Sequence, residues 1–212
     1  GMYGSGGAKL TNNSSINGKA ENAYGMYGSN MTNAGTISIT GTGTGASYGM
    51  RSTGGTVSNT GQIEVTASQA YGISLTGSGT ATNSGTITVT GTGSDTSYGM
   101  YGSGGAKLIN NGTINVNSTS GTAVGMYATG SGSSITNTGN IVLNGVSITT
   151  DYSGISSSDD PDTDATNCTS AGCGNFIKVE NGATFRNNGQ VSSASACLLY
   201  TSPSPRDRQK SR

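Results

Sequence analysis

The chain has 212 residues, 37 of them glycine, and its ten acidic and ten basic residues give a net charge of zero. It contains no histidine, which argues against zinc sites and against Cys–His or Ser–His catalysis, because these sites use an imidazole. No run of 18 apolar residues occurs, so the sequence predicts no membrane-spanning helix.

The chain opens on a decapeptide, GMYGSGGAKL, that occurs at 1–10 and again at 99–108. The glycine of a Tyr-Gly-Met type motif recurs at steps of 23 to 27 residues, at Gly1, Gly25, Gly49, Gly72, Gly99 and Gly125. An Asn-x-Gly type motif recurs with a similar period, at Asn12, Asn33, Asn59, Asn83, Asn110, Asn137 and, after two periods, Asn187. A fixed period of about 25 residues is typical of solenoid folds.

Each repeat contains three short segments of strand-forming residues separated by glycine-bearing corners. In the fifth repeat these are 98–101, a segment ending at Asn110, and 113–117. Segments this short and this rich in glycine are unsuited to helices. The sequence therefore predicts an all-β fold, a right-handed parallel β-helix with three short strands per coil and seven or eight coils.

The apolar residues of each repeat are placed to fill the interior of such a coil. The third strand carries two of them two positions apart, as at Ile114 and Val116, so both point to the same face. The second strand contributes one residue, such as Leu108, and the first contributes one, such as Met100. Because this core is one side chain wide and continues from coil to coil, few apolar residues suffice.

The motif asparagines are predicted to stack at one corner and to hydrogen-bond along the axis as a structural ladder. The ladder comprises Asn33, Asn59, Asn83, Asn110, Asn137 and Asn187. A glycine lies two positions after each of them, and we expect these glycines to adopt positive φ. They are Gly35, Gly61, Gly85, Gly112, Gly139 and Gly189, with Ser14 at the equivalent position of the first repeat.

Residues 151–175 depart from the repeat and are interpreted as an acidic insertion between the coils of 1–150 and a further, truncated coil at 176–196. Cys168 and Cys173 lie within it, and their spacing favours a local disulfide in an oxidising compartment. Its aspartates have oxygen ligands suited to calcium, but the glycine and glutamate of an EF-hand loop are missing, so a solvated acidic loop is favoured. We expect no metal site and no cofactor.

The last sixteen residues differ sharply in composition from the rest. They hold two of the three prolines, four of the ten basic residues and no glycine, and without them the net charge is −3. Reverse-translated, 197–207 resembles a transposase-based sequencing-library adapter. We therefore interpret 197–212 as a non-native tail.

Tandem units of the type Tyr-Gly-Met-Tyr … Asn-x-Gly-Thr-Ile-x-Val resemble the β-helical passenger domains of bacterial autotransporter adhesins, which use type V secretion. The resemblance implies a surface-exposed scaffold, a signal peptide upstream, and a C-terminal barrel downstream as its only attachment to the membrane. On this interpretation the chain is a fragment located at the cell surface. The implied partners are a host surface glycan or protein, or another rod through self-association, and no nucleic acid.

Two other functions are compatible with a β-helix, those of a polysaccharide-degrading enzyme and of a phage tail fibre. An enzyme needs carboxylates and cations that converge on one face. Arg51, Glu64 and Lys107 come from different strands and distant coils, so no enzymatic activity is expected. An outward aromatic stripe, interrupted by an arginine and a serine, could instead stack on sugar rings or on a neighbouring rod; its tyrosines are Tyr27, Tyr101 and Tyr127.

Overall fold

The computed structural model describes residues 1–145 and 176–193, and their regular structure consists of three parallel seven-stranded sheets. The first sheet contains β1 Met2–Tyr3, β4 Tyr24–Tyr27, β7 Ala46–Ser52, β10 Gln69–Leu75, β13 Ser97–Ser103, β16 Ala123–Thr129 and β19 Ile177–Glu180. The second contains β2 Lys9–Asn12, β5 Asn30–Asn33, β8 Gly55–Asn59, β11 Gly79–Asn83, β14 Ala106–Asn110, β17 Ser134–Asn137 and β20 Thr184–Asn187. The third contains β3 Ser15–Ala20, β6 Thr36–Gly41, β9 Gln62–Ala67, β12 Thr86–Gly91, β15 Thr113–Ser118, β18 Asn140–Gly145 and β21 Gln190–Ser193.

Every third strand along the chain joins the same sheet, so three consecutive strands make one coil and each coil stacks on the one before it. The predicted parallel β-helix with three strands per coil is confirmed, and each sheet has seven strands among the described residues. Several strands are longer than the sequence indicated, since β13 extends from Ser97 to Ser103 rather than over four residues. Of the described residues, none belongs to a helix that could cross a membrane.

Three stacks of apolar side chains fill the interior, as the repeat pattern predicted. The inward residues of the central first-sheet strands are completely inaccessible to solvent, namely Met26, Met50, Ile73, Met100 and Met126, and the apolar pairs of the central third-sheet strands are fully buried as well. In the register of the third sheet, Ile87 pairs with Ile63 on one side and Ile114 on the other. Leu10 and Phe185, in the first and last coils of the described part, are only partly buried, since among the described residues each has a neighbouring coil on one side only.

The motif asparagines form a continuous chain of hydrogen bonds along one corner. Each side-chain amide donates to the Oδ1 atom of the asparagine in the next coil, at 2.7 or 2.8 Å, from Asn12 through to Asn187. The same amide groups also donate to the backbone carbonyl two residues later, as Asn83 does to Gly85 at 3.3 Å. The ladder thus ties consecutive coils together through buried polar groups that all have partners.

The expected conformation of the corner glycines was wrong. None of the six has a φ angle in the left-handed region. Instead, a Cβ atom built on Gly85 would collide with the backbone carbonyl oxygen of Gly61 in the preceding coil, and the other five glycines meet an equivalent carbonyl. Glycine is required here because the coils approach too closely for any side chain. Ser14 has no such coil beneath it within this chain.

The acidic insertion 151–175, with Cys168 and Cys173, and the tail 197–212 lie outside the described residues. Their predicted disulfide and non-native origin stay predictions.

Candidate functional site

The outer surface of the first sheet is the candidate site, and a glycine within each of the strands β4, β7, β10, β13 and β16 shapes it. In β7, Tyr48 and Arg51 are partly exposed, whereas Gly49 and Met50 between them are buried. Residue-by-residue pairing with both neighbouring strands skips this glycine. A Cβ atom on Gly49 would collide with the side chain of Ile63, so only glycine allows the strand to bend here. The bend places two side chains per strand on the outer surface.

These outward positions carry eight of the ten tyrosines in the chain, in two columns along the rod. The first column contains Tyr24, Tyr48, Tyr71 and Tyr98 on consecutive strands. The second column contains, in order, Tyr3, Tyr27, Arg51, Ser74, Tyr101, Tyr127 and Lys178. We call the two columns together the tyrosine face.

The rings of the first column stack on one another without interruption. Ring centroids lie 5.2 Å apart between Tyr24 and Tyr48, 4.7 Å between Tyr48 and Tyr71, and 5.1 Å between Tyr71 and Tyr98. The planes of successive rings differ by only 7° to 21°. Because the ring faces cover one another, the edges and hydroxyl groups are the parts left for a partner.

Arg51 interrupts the second column and packs against the first. Its guanidinium carbon lies 4.9 Å from the ring centroid of Tyr48 and 5.7 Å from that of Tyr24, and Nη1 donates a hydrogen bond to the Tyr24 hydroxyl at 3.1 Å. Its Nε atom is buried without a hydrogen-bond partner. Arg51 takes part in no salt bridge among the described residues, so its charge is balanced only by aromatic rings.

Beside Arg51, Ser74 fills the remaining gap in the second column. It is only 2% exposed, although it occupies the outward position between Arg51 and Tyr101. Tyr101 leans across the gap toward the first column and meets Tyr71 edge to face, with 5.8 Å between ring centroids. The tyrosine face is therefore continuous across its middle strand.

A charged cluster closes the second column at the last strand. The Tyr127 hydroxyl donates to Glu180 Oε2 at 2.7 Å, and the Lys178 amine pairs with Glu180 Oε1 at 2.8 Å. The hydrogen bonds from Lys178 and Tyr127 hold the pKa of Glu180 below its usual value. Burial, and then the hydrogen bond to Glu180, raises the pKa of Tyr127 to about 12.

Partial burial also raises the pKa of the central tyrosines. The largest cause at Tyr48, Tyr71 and Tyr98 is desolvation of the ionised phenolate, and at Tyr48 the charge of Arg51 opposes it. These hydroxyl groups are therefore neutral at physiological pH, and each can both donate and accept a hydrogen bond.

The two other sheets present a different surface. Their outward positions carry mainly threonine, serine and asparagine, as in the third-sheet column Thr40, Thr66, Thr90, Asn117 and Asn144. The charged residues weighed for catalysis do not come together, since Arg51 is in β7 of the first sheet, Glu64 in β9 of the third and Lys107 in β14 of the second. The described residues contain no cluster of acidic, cysteine or histidine side chains that could hold a metal ion.

The repeat pattern predicts the second tyrosine column but not the first. Strict alternation along a strand puts Tyr48 on the same side as the buried Met50, two residues later. The glycine bend breaks that alternation. A usable signal was present, because a tyrosine precedes the glycine of the Tyr-Gly-Met type motif in four consecutive repeats.

Comparison with known proteins adds a family assignment. A family model described as the BigA third pectate lyase-like domain matches residues 1–159, well over half of the chain. No curated protein and no solved structure matches the chain significantly.

Proposed function

Because this chain belongs to the family of BigA third pectate lyase-like domains, we propose that it is a structural segment of a surface-exposed β-helical scaffold that mediates adhesion or self-association. In this proposal the chain is part of the passenger domain of an autotransporter and lies at the outer cell surface. One observation carries it, the gathering of eight tyrosines on one of the three sheets.

Tyrosine is the kind of residue that contact surfaces favour. It is enriched in the cores of protein interfaces, where charged residues are depleted, because it combines a large apolar ring with a hydroxyl group. The tyrosine face matches this composition, since Arg51 and Lys178 are the only charged side chains in its two columns in the described strands. The repeated rungs let many weak contacts act together on an extended partner.

Cleavage of a polysaccharide is the alternative function that the description "pectate lyase-like" raises. Acid–base chemistry on a glycan requires charged groups within reach of the same bond. The separation of Arg51, Glu64 and Lys107 onto three sheets favours a scaffold over such an enzyme. We therefore propose that this segment binds and does not catalyse.

The test displays the full chain on a non-adherent bacterium and measures aggregation, attachment to host cells and binding to glycan arrays. We expect a gain in at least one of these. A variant with Tyr48→Ser, Tyr71→Ser and Tyr98→Ser is expected to lose most of that gain, since it removes the centre of the first column.

The matched control changes an in-register column on the third sheet, with Thr40→Ser, Thr66→Ser and Thr90→Ser. This control is expected to behave like the unmodified chain. Equal loss in both variants would contradict the assignment to the tyrosine face. No gain in any assay, together with measurable cleavage of a polysaccharide, would replace the scaffold by an enzyme.

A further inference from the structure

We propose that the tyrosine face binds a second copy of this chain, with the two rods antiparallel and a twofold axis passing between them at β10. This inference rests on the proposed function and deepens it, because it names the partner and its orientation. It follows from the period of the face, from the order of residues along the second column and from the area available.

A second copy has the same spacing between rungs as the first. Strands in both rods repeat about every 4.8 Å, so ring edges of one rod stay in step with those of the other over the whole face. The near-parallel stacking of Tyr48 on Tyr71 and of Tyr71 on Tyr98 leaves few ring faces free to stack on a flat sugar. A partner that presents matching edges and hydroxyl groups suits this surface better.

When the second columns of two antiparallel copies face each other, the cations of one column lie opposite the aromatic rings of the other. A twofold axis through Ser74 in β10 exchanges β7 with β13 and places Arg51 opposite Tyr101 of the partner subunit. The same operation exchanges β1 with β19 and places Lys178 opposite Tyr3 of the partner subunit. Both cations thus meet aromatic rings, which attract them, and no cation meets another.

The centre of the contact suits the axis. Ser74, the smallest side chain of the second column and only 2% exposed, lies at the axis, so no bulky side chain of this column meets its own copy there. In the first column the axis passes at Tyr71, and Tyr48 opposes Tyr98 of the partner subunit. Each contact of one rod is repeated in the other, as an isologous interface requires.

A parallel arrangement of the two rods is less favourable. It brings β7 against β7 and exchanges the two columns, so that Arg51 meets Tyr48 of the partner subunit on the same rung. Arg51 already packs on its own Tyr48 at 4.9 Å. Both guanidinium groups then crowd one pair of rings, where their like charges repel each other. The antiparallel register separates them.

The face is large enough for a stable dimer. Its seven strands contain 2, 4, 7, 7, 7, 7 and 4 residues and cover about 600 Å² at the usual strand spacing and rise. Two such faces bury about 1,200 Å² in total, at the lower end of the range of about 1,200–2,000 Å² for specific interfaces.

The experiment measures the dimer dissociation constant of the full chain by analytical ultracentrifugation. In Y101R, the introduced guanidinium opposes Arg51 of the partner subunit, so we expect binding at least about tenfold weaker. In R51Y/Y101R, the cation and the ring exchange places, and we expect affinity within about threefold of the unmodified chain. The matched control T82R adds the same charge to the second sheet and is expected to leave the dimer unchanged.

Far-UV circular dichroism of every variant checks that the β-helix is intact. A chain that is monomeric at the highest concentration reached overturns the inference, as does a dimer that Y101R does not weaken. A dimer that Y101R weakens but R51Y/Y101R does not restore overturns the antiparallel register. A monomer that still attaches to host cells or glycans through the tyrosine face refutes this inference and leaves the proposed function standing.

Discussion

Replacing Asn110 by alanine in the middle of the asparagine ladder is expected to lower the free energy of unfolding by about 3–5 kcal/mol. Asn110 is completely buried, donates to Asn137 Oδ1 at 2.8 Å and accepts from Asn83 Nδ2 at 2.8 Å. Loss of these two hydrogen bonds costs about 1 kcal/mol each, and leaving the buried Asn137 Oδ1 atom without this donor adds about 1–3 kcal/mol.

The measurement is chemical denaturation followed by far-UV circular dichroism. The matched control is Asn111→Ala, one residue along, where the exposed side chain accepts only a surface hydrogen bond from the Thr138 hydroxyl. This control is expected to change the free energy of unfolding by no more than about 0.5 kcal/mol. If the two variants unfold at the same denaturant concentration, the ladder does not stabilise the stack and the reasoning is refuted.

Three further results are expected. Gly85→Ala should destabilise the chain by about 1–3 kcal/mol in the same assay, since its Cβ atom would strike the Gly61 carbonyl oxygen. Ser14→Ala at the equivalent corner should leave the stability unchanged. Equal effects of the two substitutions would contradict the close-approach explanation. Stability should fall as the pH rises above the ordinary tyrosine value near 10, because Tyr127 keeps its proton in the folded chain up to about 12 and the unfolded chain does not. Absorbance at tyrosinate wavelengths and circular dichroism, recorded together, test this, and Tyr127→Phe should flatten the alkaline loss. Stability should also fall as the pH drops below the ordinary glutamate value near 4.5, since the lowered pKa of Glu180 favours its ionised form in the folded chain; acid denaturation with Glu180→Gln as reference checks it.

The family assignment and the tyrosine face bear on function at different levels. The match to the BigA third pectate lyase-like domain places the chain in a β-helix family. It says nothing of the outward residues, which in a solenoid are free to vary while the inward ones maintain the coil. The face that would contact a partner therefore has to be found from the side chains themselves.

The sequence by itself determined the architecture of this protein, because every repeat contains the inward apolar residues and the asparagine that form the coil. An interior one side chain wide needs the same apolar positions in each coil, and the ladder needs the same asparagine, so period and burial appear together in one chain. The stacking of Ile87 between Ile63 and Ile114 follows directly from that repetition.

Only the tertiary structure decided what depends on how one coil sits on the next. The need for glycine at Gly85 comes from a carbonyl of the preceding coil, which lies 24 residues earlier in the sequence at Gly61. The outward position of Tyr48 depends on a bend at Gly49, where the side chain of Ile63 on another strand leaves no room for a Cβ atom. The alternation of inward and outward residues along a single strand does not predict such contacts between coils. For that reason the first tyrosine column and the aromatic setting of Arg51 emerged only once the coils were stacked.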